Sequence, residues 1–179
     1  MNKVKVGILG STGSVGQRYV NMLRDHPWFE AVALSASSMS VGKRYKEVAK
    51  WILKKDMPPK AAEMKIIPAE HGAFKSEGVE LVFSALPSEV ARTVEDEMAE
   101  GGLTVIADTS AHRMDPDVPI LIPEVNSEHL LALKEQRSRR KGIIITLSNC
   151  TALGLAISLK PIQKEFGLRR VLVSTMQAV

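Results

Sequence analysis

Near its start the chain reads Gly7-Ile-Leu-Gly10-Ser-Thr-Gly13-Ser-Val-Gly16. A run from Lys3 to Leu9 alternates and then becomes apolar, as in a buried parallel strand, and a helical pattern from about Val15 to Arg24 follows the glycines. A second strand is predicted from about Phe29 to Ser35. The stretch therefore predicts a βαβ unit whose glycines allow a tight turn beside a pyrophosphate group. A glycine-rich turn that binds no ligand is the alternative.

The end of the second predicted strand indicates which dinucleotide would bind. NAD-binding units of this kind usually carry an Asp or Glu there, which binds the ribose 2′-hydroxyl. This chain has three serines instead, followed by two cations: Ser35, Ser37, Ser38, Lys43 and Arg44. Because hydroxyl groups and cations suit a 2′-phosphate, we predict NADP, bound by the serines and Lys43. We assign Arg44 to the exposed face of a helix predicted over residues 41–53.

The composition limits the classes of function. The chain has 179 residues, of which 45% are hydrophobic and 25% charged, as in an ordinary soluble domain. Its net charge of +4 suits an anionic small molecule, whereas 4% aromatic residues and no basic stripe argue against nucleic acid. A single cysteine excludes an intrachain disulfide and a multi-cysteine metal site, and we assign no metal ligand. Without a signal-peptide pattern or a membrane-spanning run, we expect a cytoplasmic protein that does not bind membranes.

Several further predicted strands end in residues that can carry chemistry. Strands are predicted over residues 79–84, 103–107 and 143–147, and a last one over residues 169–176. Ligands of open α/β sheets bind outside the carboxyl ends of the strands. The pattern therefore brings candidate residues to one edge of the sheet: Gly10, Ser35, Ser84, Asp108 and Cys150.

The only cysteine occupies a predicted strand-to-helix turn. Cys150 follows the apolar run that ends at Leu147 and precedes a helical pattern that begins at about Thr151. Unpaired N–H groups and the positive end of the helix dipole stabilise a thiolate there and raise its nucleophilicity. A small buried cysteine at a tight turn is the alternative.

Two side chains of the loop after Asp108 are candidates for a binding or catalytic role. Arg113 is a planar, bidentate donor suited to a phosphate or a carboxylate. His112 could act as a base, although a single histidine in a polar loop is more typical of a surface or hydrogen-bonding residue.

Six motifs, in this order, resemble those of aspartate-semialdehyde dehydrogenases, most closely the archaeal-type branch. They are Gly10-Ser-Thr-Gly13-Ser-Val-Gly16, Phe83-Ser-Ala-Leu-Pro87, Ser110-Ala-His-Arg113-Met, Ile122-Pro-Glu-Val-Asn126, Ser148-Asn-Cys150-Thr and Thr175-Met-Gln177-Ala. The resemblance implies an α/β, Rossmann-like, doubly wound and mostly parallel sheet that forms an NADP-binding domain over residues 1–149. Residues 150–179 would begin a second, α+β domain for catalysis and dimerisation.

The resemblance also implies a reaction, in which aspartyl phosphate is reduced by NADPH to aspartate semialdehyde and inorganic phosphate on the route to lysine, threonine, methionine and isoleucine. Cys150 resembles the nucleophile that forms a thioester, and Gln177 resembles the residue that orients it. Arg113 and Asn149 resemble substrate- or phosphate-binding residues. The cofactor-binding positions would be Gly10, Ser11, Thr12, Gly13, Ser14, Val15, Ser84, Ala85 and Leu86, together with Ser35, Ser37, Ser38 and Lys43.

The chain departs from the family pattern in one respect. In the family, a second domain after the glutamine carries an acid/base histidine and most of the interface of a homodimer or homotetramer. All four histidines of this chain precede Cys150, so we expect the chain to be the N-terminal portion of a longer protein. Two alternatives remain open: a malonyl-CoA reductase of the same family, and a module that senses NADP without catalysis.

Overall fold

The computed structural model describes residues 2–176, within which seven parallel strands form one sheet in the order β3-β2-β1-β4-β5-β7-β6. The strands are β1 Val4–Leu9, β2 Phe29–Ser35, β3 Ile66–Ile67, β4 Leu81–Ser84, β5 Thr104–Ala107, β6 Ile120–Leu121 and β7 Ile143–Leu147. The α-helices are α1 Ser14–Met22, α2 Tyr45–Val48, α3 Pro59–Glu63, α4 His71–Ser76, α5 Ser88–Glu100, α6 Pro123–Asn126, α7 Leu133–Arg139 and α8 Cys150–Phe166. Short 3₁₀ helices cover Ser38–Ser40 and Ser127–Ala132.

Two apolar layers cover the two faces of the sheet, because neighbouring residues of a strand point to opposite sides. In β1, the buried Leu9 packs in a cluster with Phe74 of α4 and Met98 of α5. Its neighbour Ile8 packs in a second cluster with Val20 of α1. The predicted doubly wound, Rossmann-like α/β fold is confirmed, and the sheet is entirely parallel rather than mostly so.

The helix predicted over residues 41–53 is wrong, since only Tyr45–Val48 is helical there. The backbone N–H of Tyr45 donates to Met64 (2.8 Å), and the N–H of Ile66 donates to Lys43 (2.9 Å). Gly42 has φ +83°, which a helix does not contain. Residues 42–44 are therefore extended beside β3, and hydrogen bonds to residues 64–66 take the place of helical ones there.

The strand predicted over residues 169–176 is also wrong for the described structure, because this segment is irregular and exposed. A strand needs a neighbour, and β7 is already paired with β5 on one side and β6 on the other. The helix before this segment, α8, contains Pro161, and none of its residues is buried. No helix within residues 2–176 is both long and apolar enough to cross a membrane.

Candidate active site

The glycine loop between β1 and α1 is shaped by contacts with its own chain at two positions. Gly10 has φ +72°, and a Cβ on it would lie 2.4 Å from the carbonyl oxygen of Ala85. A Cβ on Gly16 would lie 2.2 Å from the carbonyl oxygen of Gly10. Gly13 differs, because its nearest contact would be an ordinary 3.5 Å. The fold therefore requires glycine at positions 10 and 16, whereas the surface at Gly13 is open to a ligand.

The N-terminus of α1 is suited to an anion. Gly13 is the N-cap residue, no side chain caps the helix, and the first turn carries no acidic residue. The N–H of Gln17 bonds to the carbonyl of Gly13 (2.9 Å), so the N–H groups of Ser14, Val15 and Gly16 precede the first intrahelical bond. Three N–H groups and the positive end of the helix dipole fit a pyrophosphate.

Two residues that sequence reasoning missed hold this loop from inside the protein. The buried Gln17 side chain donates to the carbonyls of Thr12 (2.8 Å) and Lys50 (2.9 Å), and accepts from the N–H of Ile52 (2.9 Å). The buried Tyr45 hydroxyl donates to the carbonyl of Ser11 (2.7 Å). The signal available in the sequence was a polar residue, Gln17, on the helix face that also carries Gly16 and Val20.

Three of the predicted cofactor-binding serines are buried. The backbone N–H and hydroxyl of Ser11 both donate to the carbonyl of Ser35, at 2.8 and 2.9 Å. The hydroxyl of Ser84 donates to Glu95 (2.6 Å). The Ser35 hydroxyl is buried and has no hydrogen-bond partner in the described structure. The Ser11 and Ser84 side chains therefore bind other parts of the protein. Direct contact of the three serine side chains with the cofactor stays a prediction.

The other predicted 2′-phosphate residues lie on the surface beside the end of β2. Ser37 and Ser38 are exposed, and the Ser37 hydroxyl lies 3.2 Å from that of Ser40. Lys43 is also exposed. Arg44 is exposed, as expected, and forms an ion pair with Glu63 (2.6 Å), although it precedes the short helix α2 rather than lying on a helix over residues 41–53.

The turn after β7 presents the thiol as the sequence predicted. Helix α8 begins at Cys150, which is exposed, and its Sγ lies 4.0 Å from the hydroxyl oxygen of Thr151. The Asn149 side-chain oxygen caps the helix and accepts from the N–H groups of Thr151 (3.0 Å) and Ala152 (3.4 Å). The first turn of α8 contains no acidic residue that would repel a thiolate. Asn149 is thus a capping residue. Because its side-chain oxygen accepts these two bonds, the predicted contact with substrate would be made by its amide nitrogen.

Arg113 lies between the ends of two neighbouring strands. Its Nε donates to the carbonyl of Leu147 and its Nη2 to that of Asp108, both at 3.0 Å. These two bonds leave Nη1 and one Nη2 hydrogen for a ligand. Burial raises the pKa of the Asp108 carboxyl, and the charge of Arg113 opposes that shift. Arg113 therefore supplies a fixed cation beside the turn that carries Cys150.

The histidine next to Arg113 points into the protein. His112 is fully buried, and its Nδ1 lies 2.7 Å from Asp115 Oδ2. The expectation of a hydrogen-bonding residue is confirmed, and a surface position is excluded.

The order of strands places these groups along one edge. β1 is paired with β4, β4 with β5, and β5 with β7, all parallel, so Gly10 and Cys150 follow strands that are three spacings apart. Three spacings correspond to about 14 Å. The sheet order reverses at β1 and β4, which is where α/β folds bind dinucleotides. An extended ligand can run from the glycine loop toward the thiol.

Comparison with known proteins agrees with this geometry. Residues 5–133 match the family described as "Semialdehyde dehydrogenase, NAD binding domain". The chain belongs to the semialdehyde dehydrogenase family. The resemblance seen in the motifs is thereby confirmed.

The relatives and the solved structure below each match more than nine-tenths of this chain. It is 48% identical over 178 residues to an aspartate-semialdehyde dehydrogenase of Methanothermobacter thermautotrophicus, covering 98% of this chain and 50% of the relative. It is 40% identical to a malonyl CoA reductase (NADP) of Metallosphaera sedula, covering 98% of this chain and 49% of that protein. The crystal structure of the Candida albicans aspartate-semialdehyde dehydrogenase with NADP matches with a TM-score of 0.84 and 38% identity, over 93% of this chain and 48% of that one. The chain thus spans about half the length of these relatives.

Proposed function

We propose that the protein containing this chain is an NADP-dependent aspartate-semialdehyde dehydrogenase. It would reduce L-aspartyl 4-phosphate to L-aspartate 4-semialdehyde with release of phosphate, in the biosynthesis of lysine, threonine, methionine and isoleucine. One observation carries the proposal: Cys150 is exposed at the N-terminus of α8, on the sheet edge that also holds the open glycine loop. The relatives named aspartate-semialdehyde dehydrogenase support the choice of substrate.

Cys150 would act as the nucleophile. Its thiolate attacks the acyl carbon of aspartyl phosphate, the C–O bond to phosphate breaks, and a thioester remains on Sγ. When the thioester has accepted a hydride, the C–S bond breaks, which releases the aldehyde and regenerates the thiolate. Because Cys150 is exposed at the start of α8, the acyl carbon of a substrate can reach its sulfur from outside the protein.

Arg113 would bind the phosphate that leaves. Its guanidinium is held by two strand-end carbonyls, so little side-chain entropy is lost when an anion binds to the remaining donors. Asn149 would orient the turn through its cap and could donate from its amide to substrate. Gln177 lies outside the described residues, and its role in orienting the thioester stays a prediction.

The glycine loop would bind the cofactor, whose reduced form NADPH supplies the hydride when bound. The N–H groups of Ser14 and Val15 would donate to the pyrophosphate, with Gly10 and Gly13 allowing its close approach. Thr12, Ala85 and Leu86 would form the walls beside the loop. Ser37, Ser38 and Lys43 would bind the 2′-phosphate, since they are exposed beside the end of β2.

The test is phosphate-dependent reduction of NADP by aspartate semialdehyde, measured on the full-length protein and on the 179-residue chain. We expect activity in the full-length protein that requires both phosphate and Cys150. The Cys150→Ser variant should lose turnover and keep its affinity for NADPH, because Cys150 lies about 14 Å along the edge from the glycine loop. Binding of NADPH with no turnover of any aldehyde would favour the sensing module instead.

A malonyl-CoA reductase is the second candidate, and the similarity to the Metallosphaera sedula protein favours it. The two reactions share the thioester on cysteine and the hydride step, and differ in the leaving group, which is coenzyme A rather than phosphate. Oxidation of NADPH with malonyl-CoA and not with aspartyl phosphate would identify malonyl-CoA as the substrate. The proposed role of Cys150 would be unchanged.

A further inference from the structure

A cluster of charged and polar side chains, of which Glu95 and His112 are fully buried, lies behind the site and is not used by the chemistry above. It is formed by α5 and by the loop between β5 and β6. Its members are Arg92, Glu95, Asp96, Thr109, His112 and Asp115.

Glu95 is the centre of this cluster. Its carboxylate is fully buried and receives the Ser84 hydroxyl at 2.6 Å. The Thr109 hydroxyl lies 3.0 and 3.1 Å from its two oxygens. Burial raises the pKa of the Glu95 carboxyl, and the two hydroxyl donors oppose this shift. A buried carboxylate is costly unless other groups satisfy it, so its retention on the apolar side of α5 needs a reason.

His112 connects Glu95 to the loop. Its Nε2 is buried without a hydrogen-bond partner in the described structure and lies 3.6 Å from Glu95 Oε2. On the other side its Nδ1 lies 2.7 Å from Asp115, and the Arg92 guanidinium binds both Asp115 oxygens at 2.9 and 3.0 Å. Arg92 also donates to the carbonyl of Ala111. Five side chains thus fasten residues 109–115 to α5, namely Arg92, Glu95, Thr109, His112 and Asp115.

The fastened loop is the one that presents Arg113. His112 and Arg113 are neighbours in sequence, and one side chain points into the cluster while the other reaches the strand ends. The Ser84 bond extends the same network to the end of β4, beside the glycine loop. A displacement of His112 would therefore move the guanidinium relative to Cys150.

We propose that Glu95 and His112 are positioning residues for Arg113, which hold its loop on α5 so that the guanidinium meets the phosphate of the substrate. The inference rests on the proposed function, since phosphate is the ligand assigned to Arg113. It assigns to the pair no contact with substrate or cofactor.

The test is the dependence of the aldehyde reaction on inorganic phosphate, measured on the full-length protein. Glu95→Gln keeps the size of the side chain and an acceptor for Ser84, and removes the nearer of the two carboxylate charges that face His112 Nε2, the other being that of Asp96 at 3.9 Å. His112→Asn can still donate to Asp115 and does not reach Glu95. Misplacement of a binding group costs up to about a hundredfold, so we expect each variant to raise the KM for phosphate about tenfold with a smaller change in kcat. The affinity for NADPH should not change, which also reports that each variant is folded.

The matched control is Glu97→Gln on the same helix. Glu97 is exposed and accepts from the N–H of His71 (2.9 Å), a bond that glutamine can still make. This variant should leave the KM for phosphate unchanged. Combining Glu95→Gln with His112→Asn should give less than the product of the two single effects, because both act through one contact.

The possible outcomes are distinguishable. A normal KM for phosphate in both variants, even with a lower melting temperature, would show a merely structural cluster and overturn the inference. Independent, multiplicative effects of the two substitutions would do the same. A wild-type protein without phosphate-dependent activity would overturn the proposed function itself, and the inference with it.

Discussion

At the scale of single residues, folding changes the acidity of Asp115 in the loop that carries Arg113. Hydrogen bonds from Arg92, and then from His112, lower the pKa of its carboxyl from 3.8 to about 2, although burial opposes them. A carboxyl whose pKa is lowered by folding stabilises the folded state above its unfolded pKa. That contribution is lost as the pH falls toward the folded pKa.

We therefore predict a pH-dependent loss of stability in Asp115→Asn. The side chain is 20% exposed, and the shift corresponds to about 2 kcal/mol at pH 7 and to about half of that at pH 3. Denaturant unfolding of both proteins at pH 7, 5 and 3 measures this difference. It should be equal at pH 7 and 5 and smaller at pH 3, whereas a difference that grows toward pH 3 would contradict the assignment. Glu135→Gln, which weakens only the exposed pair with Arg139, is the control.

Sequence reasoning found some site residues and not others, for a physical reason. Cys150 was predictable because an apolar strand, a cap residue and a helix are adjacent in the sequence. Glu95 was not predicted, because its partners Ser84 and Thr109 lie outside its own helix, 11 and 14 residues away, and meet it only in the folded sheet. The signal available was its position, since Glu95 shares the buried stripe of α5 with Ala91 and Met98. A charge on an apolar stripe indicates a buried partner.

At the scale of elements, two glycines of the loop between β1 and α1 differ in the effect expected of a substitution. One substitution should weaken cofactor binding, and the other should lower the stability of the fold. Gly16 and Gly13 lie in the same turn, and only Gly16 has the backbone of its own chain where a Cβ would be. Gly13 has φ −71° and ψ 169°, which alanine adopts readily.

We predict that Gly13→Ala lowers the affinity for NADPH and leaves the fold intact, because the added methyl group stands where the pyrophosphate would approach. The loss should be about tenfold, equivalent to about 1.4 kcal/mol. Gly16→Ala should instead destabilise the protein by about 1–3 kcal/mol, as overpacked positions do. Fluorescence titration with NADPH and thermal unfolding of both variants measure the two effects. Unaltered binding in Gly13→Ala would place the pyrophosphate elsewhere.

The elements themselves were predictable where local signals decide them. Helix α5 is an example, because Pro87 directly precedes it and Gly101 directly follows it in the sequence. The prediction of a helix over residues 41–53 failed, because residues 42–45 form hydrogen bonds with residues 64–66 and only Tyr45–Val48 is helical. Such pairing depends on residues far along the chain, which periodicity does not reveal.

At the scale of the whole molecule, the two ends of the site differ in how well this chain supports them. The glycine loop lies on a sheet that is buried on both faces. Helix α8 has no buried residue, and large apolar side chains are exposed both at its end and in the segment after it, among them Phe166 of α8 at 85% and Leu172 at 90% exposure. Exposed apolar surface of this extent marks an interaction site. The relatives are about twice as long as this chain, so they have further residues that could cover it.

We predict that the isolated 179-residue chain binds NADPH but is cleaved by proteases after residue 147, while residues 2–147 stay protected. The reason is that α8 and residues 167–176 make few buried contacts in the described structure, whereas the sheet holds the glycine loop, and poorly packed segments open at low cost in free energy. Limited proteolysis with mass spectrometry, on the chain and on the full-length protein, locates the cuts. Protection of α8 in the longer protein alone would show that its other half covers the turn that carries Cys150. Equal protection in both would mean that α8 is stable without it, and equal cleavage would mean that α8 stays exposed in the whole protein.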